Sequence, residues 1–201
     1  MLTWFLLCFS LFTAHAELAP EQRLIVLNSY RLEREGKITQ AITSLKAVYE
    51  KQPEDYFLNM RLGWLYSLDK KTKEAIASYG KAQKLNPKSI EPASALMSMH
   101  AFNGESDKVI LLGKENLKKD PNHYLTGQRL VTALIKQKTF TEALEIASQF
   151  TGLYPLDPTF LEQVGYAAEQ LGKNDRAGDA YSVLLLVNPD NVAARSYFIN
   201  H

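Results

Sequence analysis

The chain has 201 residues, 46% of them hydrophobic, and its 23 basic and 22 acidic side chains leave a formal net charge of +1. Charges of both signs spread along the chain give no electrostatic reason to bind nucleic acid or an anionic membrane. The one cysteine, Cys8, excludes an internal disulfide, so the fold must be held by its apolar core alone.

The first residues differ from the rest. Trp4 to Thr13 is an apolar stretch, and Ala14-His15-Ala16 offers the small-x-small pattern that precedes a signal-peptidase cut. We expect residues 1–16 to be a signal peptide, a mature start at Glu17, and a periplasmic or secreted protein. The run is shorter than the roughly 20 apolar residues that span a bilayer, and no Lys or Arg precedes Arg23. An uncleaved membrane anchor and a buried first helix are the alternatives. Leu7 before Cys8 is too large for a lipidation box. Export without cysteines fits a bacterial envelope better than an animal secretory pathway.

Beyond this segment, Pro53, Pro87, Pro121, Pro155 and Pro189 recur every 34 residues. Proline lacks a backbone N–H and restricts the residue before it, so each is expected to end a helix and start a new unit. An internal repeat at this period dictates how every other residue is read. The units cover about 22–55, 56–89, 90–123, 124–157 and 158–191, and residues 192–201 form a short capping helix, all within a single domain from 17 to 201. Each unit is expected to be two helices joined at Gly36, Lys70, Gly104, Lys138 or Gly172, seventeen residues before its proline.

Taken in order, the first unit keeps Gly36, Ala41, Leu45 and Pro53 but has Asn28-Ser29 where the second has Leu62-Gly63. The second is the most regular, with Leu62-Gly63, Trp64, Tyr66, Ala75, Tyr79, Ala82 and Pro87. Gly63, Ala75 and Ala82 let two backbones approach, while Leu62, Tyr66 and Tyr79 fill the flanking space. This pattern resembles the tetratricopeptide repeat, lacking only the early tryptophan, which Asn59 replaces. The third unit departs, with Met97 at the usual glycine, Gly113 at the usual aromatic and Asn116 at the usual alanine. We expect Met97 to take the volume vacated at Gly113. The fourth has Val131 at the glycine position, and the fifth matches again through Gly165, Gly172, Ala177, Tyr181 and Pro189. Tyr197 or Phe198 is expected to cover the end of the last repeat.

The resemblance implies an all-α, right-handed superhelical solenoid of five helix-turn-helix units, with the first helix of each pair lining a concave binding surface. The groove-facing positions it implies are Arg23, Val26, Leu27, Tyr30 and Glu33 in unit one and Phe57, Met60, Arg61, Trp64 and Ser67 in unit two. They are Glu91, Ser94, Ala95, Ser98 and Ala101 in unit three, Leu125, Gln128, Arg129, Thr132 and Ile135 in unit four, and Thr159, Glu162, Gln163, Tyr166 and Glu169 in unit five. The strongest candidates for partner contact are Tyr30, Phe57, Met60, Arg61, Trp64 and Arg129, the two arginines being available for a carboxylate or carbonyl. Equally, Tyr30, Phe57 and Trp64 are suited to packing against neighbouring helices. A clamp for a C-terminal carboxylate is not supported, because Val26, Tyr30, Arg61, Glu91 and Ala95 occupy its places.

No catalytic constellation is visible. His100 falls at an inner-packing position, and His123 follows Pro121-Asn122 in a turn expected to be solvated. Gly36-Lys37 and Gly172-Lys173 lack the glycine spacing and preceding strand of a phosphate loop. We therefore expect no cofactor, no metal and no enzyme, but an adaptor for a protein or peptide partner. The rival expectations are a self-associating structural subunit of an envelope assembly, and a hydrolase or carbohydrate-binding protein on a helical scaffold.

Overall fold

The computed structural model describes residues 19–201, and the expected signal segment lies outside them. Among the described residues there are eleven helices and no strand. They pair as α1 (Pro20–Arg34) with α2 (Ile38–Tyr49), α3 (Tyr56–Leu68) with α4 (Thr72–Leu85), and α5 (Glu91–Phe102) with α6 (Ser106–Lys119). Next come α7 (Tyr124–Lys136) with α8 (Phe140–Leu153) and α9 (Pro158–Gln170) with α10 (Asn174–Val187), and α11 (Val192–Asn200) closes the stack. Each helix packs on its neighbours in sequence, as expected of an all-α solenoid.

The repeat punctuates the start of α3, α7, α9 and α11 and the end of every first helix that a second helix follows. Two residues after the proline, Asp55 accepts the Leu58 N–H at 2.7 Å, Asp157 accepts those of Thr159 and Phe160 at 2.9 and 3.1 Å, and Asn191 accepts that of Ala194 at 2.9 Å. These are N-caps, supplying acceptors to backbone donors that the helix cannot pair. His123 holds the same position and was expected to be solvated. Instead its Nδ1 caps α7 through the Thr126 N–H at 3.3 Å and lies 2.7 Å from the Thr126 hydroxyl. Ser89 does not cap, and α5 starts later, at Glu91.

At the other end, all five turn residues have positive φ: Gly36 at 73°, Lys70 at 57°, Gly104 at 75°, Lys138 at 57° and Gly172 at 68°. The next N–H reaches back to close the helix, as in Lys37 to Leu32 O at 2.8 Å and Lys71 to Tyr66 O at 2.9 Å. This is a left-handed C-cap, which favours glycine and penalises a lysine side chain.

The core runs between the two helices of each pair and has two buried clusters, with the partly buried Leu112 packed against both. One cluster of buried side chains joins the first two units and includes Leu96 of α5, and a second runs from Met97 of α5 to Tyr197 of α11. Neighbouring residues of a single helix thus face different halves of the molecule.

Helix approach is achieved in three ways. In the second and fifth units a Cβ at Gly63 would stand 2.6 Å from the Tyr79 ring, and one at Gly165 would stand 2.5 Å from that of Tyr181. The third unit inverts this as expected: Met97 is fully buried, and its Cε would lie 3.1 Å from a Cβ at Gly113. The fourth unit shifts the contact to the places of the early tryptophan and the last alanine and reverses their sizes. Gly127 faces the Phe150 ring, which a Cβ would meet at 2.3 Å. Phe150 in turn stacks on Phe160 of the next unit, with centroids 4.8 Å apart.

Two further substitutions in the pattern have local reasons. Asn59, standing where the early tryptophan is usual, is fully buried and its amide donates to Pro53 O at 2.8 Å and Asp55 O at 2.7 Å, tying the proline turn to α3. His100 is buried as expected, and its Nδ1 lies 2.5 Å from a Glu105 carboxylate oxygen. Hydrogen bonds from Lys108 and then His100 lower the Glu105 carboxyl to about 2. At the end of the stack Tyr197, not Phe198, provides the cover: it is 6% exposed and its hydroxyl donates to Asn174 O at 2.8 Å.

Candidate partner-binding groove

Among the first helices α5 packs on α7, α7 on α9 and α9 on α11, and side chains of α3 reach back to α1 through the Arg61 and Trp64 bonds to Glu33. Their outward positions therefore form one surface. At its N-terminal end Tyr30, Phe57 and Trp64 are 37%, 44% and 47% exposed, and with Met60, Arg61 and Glu33 they line a hollow of about 320 Å³. Val26, expected on this surface, is instead buried in the first core cluster, because α1 turns that face toward α2.

Arg61 does not point to a partner. Its side chain is 4% exposed and its Nη1 is 2.5 Å from Glu33 Oε2. Its Nε donates to the Ser29 hydroxyl at 3.2 Å, and the Tyr30 ring covers the guanidinium at 3.7 Å. Trp64 Nε1 donates to the other Glu33 oxygen at 2.7 Å. Burial pushes the Glu33 carboxyl upward, but the bonds from Trp64 and Arg61 and the guanidinium charge outweigh it, so the group is held below its ordinary value. Trp64, Arg61, Ser29 and Glu33 thus bond to one another, and Arg61 Nη2 is left buried without a hydrogen bond among the described residues. What remains accessible is the aromatic surface.

The same register position recurs with the same job. Arg129 Nη1 donates to Ser94 Oγ at 2.8 Å and Ser94 O at 3.2 Å, and Gln163 Nε2 donates to Thr132 Oγ1 at 3.0 Å and Gln128 O at 3.2 Å. Arg61, Arg129 and Gln163, at one position of the 34-residue register, are clips from one first helix to the one before it. The third unit has Ala95 there and makes no clip. Part of this signal was in the 34-residue register, which aligns the three donors, but their acceptors Ser29, Ser94, Gln128 and Thr132 lie 32, 35, 35 and 31 residues back and share no one position. Reading each arginine as a free cation concealed it.

Further along, Thr132, Ile135, Glu162, Gln163 and Tyr166 border a second hollow of about 590 Å³ between α7 and α9. Tyr166 is 39% exposed and rests edge-on against Phe140. Among the described residues there is no group of three or more His, Cys, Asp or Glu side chains that could hold a metal ion, and no helix is long and apolar enough to cross a membrane.

Family models of the tetratricopeptide repeat match residues 58–89 and 129–196. Among solved structures the chain is similar to a tetratricopeptide repeat protein from Parabacteroides merdae, at 19% identity and a TM-score of 0.80 over 90% of this chain and 72% of that one. It is also similar to the MamA protein, at 18% identity and a TM-score of 0.77 over 84% and 92% of the two chains. A third likeness is to YrrB, described as a tetratricopeptide-repeat protein with an unusual peptide-binding site, at 13% identity and a TM-score of 0.76 over 87% and 90%. No curated protein matches the chain. The proline period, the five left-handed turns and these likenesses lead to one statement: residues 58–89 and 129–196 match tetratricopeptide repeats, and the described residues stack as an all-α solenoid of that fold.

Proposed function

We propose that this protein is a noncatalytic adaptor that holds a peptide or helix of a partner protein along the surface formed by its first helices, with its main grip on Tyr30, Phe57, Met60 and Trp64. The fold is that of protein-interaction scaffolds, and one structural neighbour is described as binding a peptide. The observation that carries the reading is the wall itself. Three aromatic side chains stand side by side with over a third of their surface accessible, and among them the Trp64 indole N–H and the Arg61 Nη1 and Nε are already paired within the chain. Aromatic rings held rigidly at a surface are the usual anchors of an interface, because they bury large area at low entropic cost. An amphipathic helix or extended segment with two or three apolar anchors suits such a wall.

The test replaces Phe57 and Trp64 with alanine, singly, and compares partner capture from native envelope extract with folding by circular dichroism. Loss of capture with unchanged helicity supports the wall as the grip, and joint loss of both returns these rings to a packing role. The bacterial envelope is the proposed setting, in line with the export segment expected at 1–16. Amino-terminal sequencing of the exported protein is expected to begin at Glu17, and an intact Met1 would oppose it.

A further inference from the structure

Arg61 and Arg129 occupy the same place in the repeat, and the chain treats them differently. Arg61 reaches back across one unit to a carboxylate, Glu33, at 2.5 Å. The residue that stands to Arg129 as Glu33 stands to Arg61 is Ala101. No acid replaces it. Arg129 bonds only to Ser94, a neutral partner, although it is half-buried and its burial pulls the guanidinium below its ordinary value. Beside it lies a cavity of about 100 Å³ lined by Ala101, Ser106, Gln128, Arg129, Thr132 and Lys136, among others, with no carboxylate. Lys136 forms no ion pair with a described residue. The nearby acids are engaged elsewhere, Glu105 by His100 and Lys108 and Glu162 by Asn191.

A half-buried guanidinium without a carboxylate partner is costly to keep unless something anionic completes it, and the exposed Lys136 on the rim of the same cavity adds a second positive charge. The volume fits a carboxylate head and a water, whose share of liquid is about 30 Å³. It is too small for an aromatic ring. The chain itself displays the missing contact one period earlier, a glutamate side chain against an arginine at this register.

We infer that the cavity between the third and fourth units receives a glutamate or aspartate side chain of the bound peptide, gripped by Arg129 and Lys136 above Ala101. This rests on the reading of the first-helix surface as a peptide groove and adds the partner's chemistry to it: apolar anchors against units one and two, and an acidic side chain at the junction of units three and four.

The probes are N-acetylglutamate amide, its uncharged twin N-acetylglutamine amide, and N-acetylglycine as a free C-terminal carboxylate, each titrated while the Arg129 Nε–Hε NMR signal is followed, assigned by its loss in Arg129→Gln. The glutamate probe is expected to move that signal and the glutamine probe to leave it still. Lys136→Gln should weaken the response about fivefold, the upper range for a solvent-accessible ion pair. Ala101→Glu should abolish it and raise Tm by about 2–4 °C, since the acid then comes from within the chain. No response to the glutamate probe, an equal response to the glutamine probe, or an undiminished response in Lys136→Gln overturns the inference. A stronger response to N-acetylglycine also overturns it, moving the site to a chain terminus. The titration needs no partner protein, so its failure leaves the Trp64 capture result standing, and a failed capture leaves the titration standing.

Discussion

The second and third units are built on the same 34-residue frame and solve the approach of their helices in opposite senses. In the second, the glycine is on the first helix and the large ring on the second; in the third, methionine is on the first and glycine on the second. The fourth unit moves the glycine one turn toward the start of its first helix, to Gly127, and the ring toward the end of its second, to Phe150. What is kept across the units is the sum of volumes at the helix crossing, since a core accepts redistribution more readily than a void or an excess. The same contrast separates the two arginines at the groove, one with an internal acid and one without.

The largest way to break this comparison is to empty one of the crossings. Phe150→Ala removes a fully buried ring that fills the space at Gly127 and stacks on Phe160, and should cost about 3–5 kcal/mol in denaturant unfolding. A loss near 1 kcal/mol would mean the crossing does not depend on that ring. Breaking the internal ion pair comes next. Glu33→Gln leaves the buried Arg61 guanidinium without its counter-charge and should cost about 3 kcal/mol, the lower end for such pairs. Arg129 has no such partner, so the matching neutralisation there, Arg129→Gln, should cost much less. Because the Glu33 carboxyl is lowered on folding, its contribution is fully present above the unfolded value of 4.5 and is lost as pH falls through the lower folded value. Glu33→Gln should flatten that part of the stability–pH curve.

Overfilling sharpens the contrast between units. Gly127→Ala places a methyl 2.3 Å from the Phe150 ring and should cost about 1–3 kcal/mol, whereas alanine at Gly80, which has nothing within 4 Å, should be neutral or stabilising. Equal effects at the two glycines would contradict the assignment of Gly127 as a crossing point. The smallest effect is at the turns. Lys138→Gly relieves a positive φ of 57° in a lysine and should stabilise by about 1 kcal/mol.

The helix pairs, their turns and the final cover were legible because proline and glycine act locally, through the backbone, and repeat at a fixed spacing. The inversion at Met97 and Gly113 was legible too, since both departures fell at one crossing. The Gly127–Phe150 contact was not, because it reverses the pattern, with Gly127 at the place of the early tryptophan and Phe150 at that of the last alanine. The aromatic wall was read by position, and the structure leaves Tyr30, Phe57 and Trp64 accessible. The use of Arg61 was missed because a long side chain can reach either toward solvent or back across a unit. That choice is made by Ser29, Glu33 and Tyr30, which register alone does not bring together.

The central claim is that a partner lies on the first-helix surface against units one and two. Site-specific photo-cross-linking tests it most directly, with a benzophenone side chain placed at Phe57 on α3 or at Lys84, exposed on α4. The account predicts a partner adduct from position 57 and none from position 84. Adducts from position 84 with none from position 57 would contradict it.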